Sequence, residues 1–303
     1  MKTDLSIKLI SRLEQQFGRR NFLQILKAFE TKRLSSFRVN TLKTTDEQVM
    51  DILGQDHILF ERIKQIPHAF IIRNKNDCGL LNHDLVKNGW VYLQGISSMI
   101  PVILLDPKPA EMILDLCAAP GSKTSQIAAL MENQGKIVAC ENNPVRFQKL
   151  QYTIQKQGVK IADIYELDST VLPDSMNELF DRVLVDAPCS AEGRIYLQEP
   201  RTYKFWSQKN ILKHTKLQRR LLRSGFQALK IGGTLVYSTC TLSYEENEQM
   251  VEWVLKTYSS VRPVSCSFSI NSTWLAKPAG FYLLPNQSFE GFFVVKFLKT
   301  ASL

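Results

Sequence analysis

The chain lacks any pair of cysteines close enough in sequence to share a metal ion. Its six cysteines, Cys78, Cys117, Cys140, Cys189, Cys240 and Cys266, never come closer than 23 positions. Neither Cys-x-x-Cys nor the ligand spacing of a zinc module therefore occurs, and no metal is expected. Long apolar runs are lacking too. The opening stretch MKTDLSIKLISRLEQQFGRR breaks its apolar residues with charges, which excludes the uninterrupted core of a signal peptide. No segment reaches the roughly 20 apolar residues of a membrane span. Internal repeats and low-complexity tracts are absent. These absences point to a reduced, cytoplasmic protein with no membrane partner, expected to be a monomer. In that setting the match of Asn271-Ser272-Thr273 to a glycosylation acceptor carries no meaning.

What remains is a chain of 303 residues, 44% of them hydrophobic, enough for one large domain or two unequal ones. The net charge of +9 favours an acidic partner such as nucleic acid. Acids are nearly missing from one stretch. Between Arg194 and Lys230 there are ten basic residues (Arg194, Arg201, Lys204, Lys209, Lys213, Lys216, Arg219, Arg220, Arg223, Lys230) against Glu199 alone, so this segment carries the whole excess. A solvated helix face is the bland reading. Tyr203, Phe205 and Trp206 interleave with the charges, which favours single-stranded nucleic acid.

The period of the apolar residues divides the chain. Leu5, Leu9, Ile10 and Leu13, then Phe22, Ile25, Leu26 and Phe29, predict two short amphipathic helices. Ser36–Asn40 and His68–Arg73 read as strands, with a helix from Thr45 to Leu53 opened by Thr44 or Thr45. Residues 1–88 thus form a small α/β module expected to bind RNA, and Asn88-Gly89-Trp90 turns into a second domain, 89–303. There, strands at 112–116, 137–141, 164–167, 182–186 and 234–238 alternate with helices, notably Pro144–Gln157. Continuous apolar strands separated by helices indicate an α/β fold with a parallel, Rossmann-like sheet covered on both faces. Ligands in such sheets sit at the carboxyl ends of the strands.

Each of those ends carries a group suited to an adenosine-bearing cofactor. Asp115 precedes the loop Cys117-Ala118-Ala119-Pro120-Gly121-Ser122-Lys123, whose small residues let backbone amides approach a ligand at a helix start. Glu141 is placed to accept both hydroxyls of a ribose, Asp168 to meet the adenine amino group, and Asp186 to face the reacting centre. A dinucleotide loop would need Gly-x-Gly-x-x-Gly, and only Gly121 is present. Gly121-Ser122-Lys123-Thr124 imitates the end of a P-loop with the wrong spacing. A cofactor without a cradled polyphosphate remains, and S-adenosylmethionine is the one expected. Two thiols, Cys189 and Cys240, close the last two strands. A free cysteine is by default a small buried hydrophobe, and that is the reading for Cys78, Cys117, Cys140 and Cys266.

Asp115-Leu116-Cys117-Ala118-Ala119-Pro120-Gly121-Ser122-Lys123-Thr124, Asp186-Ala187-Pro188-Cys189-Ser190 and Tyr237-Ser238-Thr239-Cys240-Thr241 together resemble the Sun-domain family of RNA cytosine-5 methyltransferases. The likeness extends to Phe37–Lys43, Gln94–Ser98, Glu245-Glu246-Asn247-Glu248 and Gly291-Phe292-Phe293. Ser122 stands where the family more often has a second glycine, and Ala191 where it has glycine. The long carboxyl-terminal extension of some bacterial relatives is expected to be absent. The resemblance implies an S-adenosylmethionine-dependent methyltransferase in which Cys240 attacks carbon 6 of cytosine, Cys189 helps release the product and Asp186 hydrogen-bonds the ring nitrogen. DNA cytosine-5 enzymes use a single Pro-Cys, typically followed by Gln; Ser190 and the second cysteine favour RNA. Within the family the chain looks like bacterial ribosomal small-subunit enzymes or short archaeal tRNA enzymes, so rRNA is the expected partner and tRNA the alternative. A different class also fits the basic surface: a non-catalytic RNA-binding factor in ribosome assembly.

Overall fold

A computed structural model describes residues 5–74, 80–265 and 274–303. Cys78, Cys266 and the Asn271-Ser272-Thr273 triplet lie outside the described residues. The chain opens with helix α1, Ile7–Phe29, interrupted at Gly18, whose φ of 73° and ψ of 162° are not helical. The two short helices expected from residues 5–13 and 22–29 are therefore present, joined end to end at Gly18. The amino-terminal sheet is antiparallel, with order β2-β3-β1-β4: β1 is Ser36–Val39, β2 Phe60–Arg62, β3 Ala69–Ile72 and β4 Val91–Leu93. Helix α2, Asp46–Gln55, is opened by Thr45 and Gln48, whose side chains each bond the other's backbone N–H. A short helix, α3, covers Asp84–Lys87.

Two observations bear on the division expected at 88/89. Strand β4 lies beyond it yet completes the first sheet by pairing with β1. Helix α1 lies before it, yet Leu9, Leu13, Phe17, Phe22, Ile25 and Phe29 are buried in the core of the large sheet.

After β4 come α4 (Ile96–Leu105), β5 (Met112–Asp115), α5 (Ser122–Leu130), β6 (Lys136–Glu141), α6 (Pro144–Gln157), β7 (Ala162–Glu166), β8 (Phe180–Asp186), α7 (Gln208–Ala228), β9 (Leu229–Thr239) and α8 (Glu248–Thr257). The chain ends with β10 (Val261–Pro263), β11 (Trp274–Ala276), β12 (Phe281–Leu283) and β13 (Phe292–Lys299). These strands form a sheet of order β11-β12-β13-β9-β8-β5-β6-β7, with β10 also on β13. Strands β5 to β9 are mutually parallel, while β10 to β13 extend the sheet antiparallel.

Successive strand residues point to opposite faces, and the buried residues obey this. Leu114, Val183, Val185, Leu235 and Tyr237 pack under α1, α7 and α8. Ile113, Leu184 and Val236 pack under α4, α5 and α6. Both faces are closed, which is why these strands read as unbroken apolar runs. The chain runs from β5 out to β7 and then returns to place β8 on the other side of β5. The order reverses between β5 and β8, and a crevice opens there at the carboxyl ends. Among the described residues no helix is long and apolar enough to cross a membrane.

Candidate active site

The cofactor side is made by loops that fold on themselves. Asp115 ends β5 fully buried, accepting from the Thr124 hydroxyl at 2.8 Å and from Cys117 N at 3.4 Å. Burial pushes its carboxyl up to about 6 despite the Thr124 bond. It organises the 117–124 loop and does not line a cavity. Gly121 does not line one either. Its φ is 101°, and a Cβ there would lie 2.9 Å from the Thr153 side chain on α6. The positive φ and the close approach of α6 both require glycine at this position. Ala118, Ala119, Pro120, Ser122 and Cys117 do line a cleft of about 330 Å³ that reaches Asp186 and Cys240. Burial, and then Asp115, push the Cys117 thiol well up, which marks it as an inert wall residue. Cys140, buried likewise, is pushed up to about 12.

Glu141, at the end of β6, accepts from Asn143 N at 3.0 Å and lies 3.2 Å from the Arg146 guanidinium. Asp168, beyond β7, accepts from Thr170 N at 2.9 Å, and this bond holds its carboxyl below the usual range. Both acids face a smaller recess of about 60 Å³. Cys117 and Arg146 line this recess and the larger cleft alike, so the two are contiguous.

The thiol side is assembled from distant parts of the chain. Strands β8 and β9 are parallel neighbours, with Asp186 opposite Ser238. The loops leaving them bring Cys189 Sγ to 3.3 Å from Cys240 Sγ, both thiols being free. The bond to Cys240 and then burial push the Cys189 thiol well up. Asp186 accepts from the Ser238 hydroxyl at 2.7 Å and from Lys123 Nζ at 2.6 Å, and Lys123 also donates to Ser98 Oγ at 2.8 Å. Lys123, expected with the cofactor loop, thus reaches across the crevice to the thiol side. Gly193 lets the 291–293 segment approach Cys240. Its N–H donates to Cys240 O at 3.0 Å and its carbonyl accepts from Gly291 N at 2.9 Å, leaving no room for a Cβ, which would lie 2.0 Å from Gly291 O.

Sequence reasoning did not single out the group that ties the two thiol loops together. Glu246 is buried and accepts from Ser190 N at 3.1 Å, from the Ser190 hydroxyl and from Gln218 Nε2 at 2.8 Å. Ser190 Oγ also meets Thr241 Oγ1 at 2.7 Å, and Gln218 donates to Pro188 O at 3.0 Å. Burial raises the Glu246 carboxyl to about 7 against these bonds. The only signal was the acid run Glu245-Glu246-Asn247-Glu248, which does not say which acid points inward. Of the four, Glu246 bridges the loops, while Glu245 pairs with Arg12 and Gln208. Within the basic stretch, Lys209, Lys213, Lys216 and Arg223 lie on one exposed face of α7, while Arg194, Arg201 and Lys204 precede the helix and Lys230 follows it.

A parallel sheet with paired acids at one side of its switch point and reactive groups at the other is the architecture of an S-adenosylmethionine-dependent methyltransferase. A family model described as 16S rRNA methyltransferase RsmB/F matches residues 102–298, and one described as an RsmF/B-like ferredoxin-like domain matches residues 8–78. The chain belongs to the RsmB/F family of 16S rRNA methyltransferases. It is 42% identical over 275 residues to ribosomal RNA small subunit methyltransferase F of Vibrio cholerae and 37% identical over 274 residues to that of Shewanella amazonensis. Each match covers 88% of this chain and 58% of the relative, so the chain spans little more than half the length of these curated proteins. A methyltransferase homolog from Pyrococcus horikoshii superposes with a TM-score of 0.85 at 31% identity, over 98% of this chain and 96% of that one. NSun6 from the same organism, solved with SFG, gives 0.86 at 24% identity over 98% of both chains, a likeness of fold. S-adenosylmethionine is the cofactor of this class. The donor set fits it: the small-walled cleft reaches Asp186, and the recess between Glu141 and Asp168 offers carboxylates to hydroxyl and amino groups.

Proposed function

We propose that the protein methylates carbon 5 of a cytosine in small-subunit ribosomal RNA through a covalent adduct with Cys240. The observation that carries this reading is the 3.3 Å contact between Cys189 Sγ and Cys240 Sγ beside Asp186. Carbon 5 of cytosine is a poor nucleophile, and addition of a thiolate to the ring activates it. Cys240 Sγ bonds to carbon 6, and the electrons of the 5,6 double bond turn carbon 5 into an enamine carbon. Asp186 accepts a hydrogen bond from the protonated ring nitrogen, stabilising the charge that develops as the thiolate adds. Ala118, Ala119, Pro120 and Ser122 would hold S-adenosylmethionine, with Glu141 and Asp168 at its ribose and base, and the cofactor would supply the methyl group as an electrophile. Loss of the carbon 5 proton to a base then restores the double bond and expels Cys240 as thiolate. Cys189, 3.3 Å from Cys240, is assigned as that base, entering the step as its thiolate. Lys123 holds Asp186 in place and offsets its charge. The target base has to leave its stack to enter the crevice, so a loop or single-stranded cytosine is the expected substrate.

The test is methyl transfer from labelled donor to bulk ribosomal RNA. Cys240→Ala is expected to abolish transfer, and retained activity would overturn its role. Cys189→Ala is expected to leave a protein–RNA adduct that survives denaturant. Mapping 5-methylcytosine in rRNA and tRNA with and without the gene identifies the substrate. A purified protein that binds RNA but no cofactor would be a scaffold instead.

A further inference from the structure

A second cavity, of about 640 Å³, is lined by both Cys189 and Phe205, and it shares Arg194 and Glu290 with the cleft that reaches Cys240. Phe205 is 70% exposed, although a phenyl ring is among the side chains that gain most from burial. Its neighbours are not. Tyr203 and Trp206 pack against the main core, Tyr203 OH donates to Leu197 O at 3.4 Å, and Trp206 Nε1 donates to the buried Glu192 at 2.7 Å. The backbone around the ring is pinned as well. Lys204 N bonds Pro200 O at 2.8 Å, Trp206 N bonds Tyr203 O at 2.9 Å, and Asn210 Nδ2 bonds Phe205 O at 2.9 Å. The exposed ring is thus held outward between two anchored aromatics, and its exposure does not reflect a loose loop. Lys32, Arg33, Arg194 and Arg201 line the same cavity, Arg194 3.3 Å from Glu290 and Arg201 2.9 Å from Glu199, pairs that a phosphate would exchange, and Lys204 Nζ lies 4.7 Å from the Phe205 ring centroid.

We propose that Phe205 is a stacking platform for a nucleotide adjoining the target base, with the cationic wall of the cavity, Arg194 and Arg201 foremost, taking the intervening phosphates. A rigid exposed ring accepts any base face, while cations follow the backbone, which is how proteins grip single strands without reading sequence. The ring's place in a cavity shared with Cys189 fixes which nucleotide it meets: one beside the cytosine that enters the thiol crevice. This subsite rests on the RNA methyl-transfer reading above.

The experiment measures binding of the full chain to a labelled single-stranded RNA nonamer with a central cytosine, and to versions with an abasic site immediately 5′ or 3′ of it. Phe205→Ala is expected to weaken binding of the intact RNA about tenfold. Phe205→Trp restores it, and one of the two abasic oligomers binds both wild type and Phe205→Ala equally. Unchanged affinity in Phe205→Ala, or additive losses on both abasic oligomers, overturns the platform. Wild-type transfer to RNA measured alongside separates the two failures. Transfer present with Phe205 irrelevant sinks only the platform, whereas no transfer and no RNA binding sinks the reading beneath it as well.

Discussion

At the cofactor end, Glu141 and Asp168 are each held by a backbone N–H two residues further on, Asn143 at 3.0 Å and Thr170 at 2.9 Å. At the thiol end, Glu246 reaches Gln218 and Ser190 across 28 and 56 positions, and Lys123 reaches Asp186 across 63. A turn that satisfies itself forms wherever its few residues occur. A network that spans β8, β9, α5 and α7 exists only when all of them are packed. The cofactor end should therefore tolerate substitution with local consequences, while the thiol end should report on the whole fold.

Glu246→Ala tests this contrast most severely. It strands Ser190 N and Gln218 Nε2 in a buried setting, each worth about 1–3 kcal/mol when left unpaired, so a loss of about 2–4 kcal/mol in urea unfolding is expected. Methyl transfer should fall with it, since Ser190 adjoins Cys189. Glu246→Gln keeps the shape but turns an amide N–H₂ toward groups that already donate, so it should hold more of the stability than the activity. A loss below about 1 kcal/mol for Glu246→Ala would remove the distinction between the two ends.

Glu141→Ala should instead leave the fold nearly intact and act on the cofactor. A carboxylate paired with two ligand hydroxyls contributes about 1.5–3 kcal/mol, so the dissociation constant for S-adenosylmethionine should rise about 10- to 100-fold in calorimetry. Equal affinity would show that the recess between Glu141 and Asp168 is not the adenosine site.

The same contrast governs what could be read before folding. The strand runs 182–186 and 234–238, the helix Pro144–Gln157 and the loop acids were legible because apolar period and strand-end position are local properties. The two thiols were legible as a pair because parallel neighbours bring their carboxyl ends together. Glu246 was hidden: a glutamate in an acid run reads as solvated, and only the packing of α7 beneath it turns it inward. The contact of Gly121 with Thr153 on α6 was hidden for the complementary reason, since no spacing reveals it. Lys123 reads as part of a cofactor loop because its partner Asp186 lies on another strand.

Acidity offers a finer probe of the buried side. Glu246 is raised to about 7 from an ordinary 4.5 and Asp115 to about 6 from 3.8, so the folded state binds these protons more tightly than the unfolded chain. Stability contributed by them is fully present below the ordinary values and is lost as the pH rises through 6 and 7. Glu245 runs the other way. Burial opposes it, but the bonds from Arg12 and Gln208 bring its carboxyl down to about 2, so its contribution holds above 4.5 and is lost as the pH falls toward 2. Urea midpoints should therefore decline between pH 5 and 7.5, and Glu246→Gln should flatten the upper part of that decline. An unchanged slope in the variant would assign the titration to another group.

The smallest effect is expected at Asp168. Its side chain is 55% exposed, and its partners are a neighbouring backbone N–H and Arg220 at 3.9 Å, a distance at which a hydrated ion pair contributes little. Asp168→Ala should shift stability by no more than about 0.5 kcal/mol. Its cofactor affinity should fall by less than that of Glu141→Ala, because a half-exposed carboxylate exchanges a water for an adenine amino group while the buried Glu141 has no such alternative. Since its lowered carboxyl binds protons less readily in the folded state, the little stability it adds is present above 3.8 and disappears as the pH falls below. If melting of Asp168→Ala dropped as far as that of Glu246→Ala, the loop after β7 would be part of the long-range network, and locality would no longer separate the two ends of the crevice.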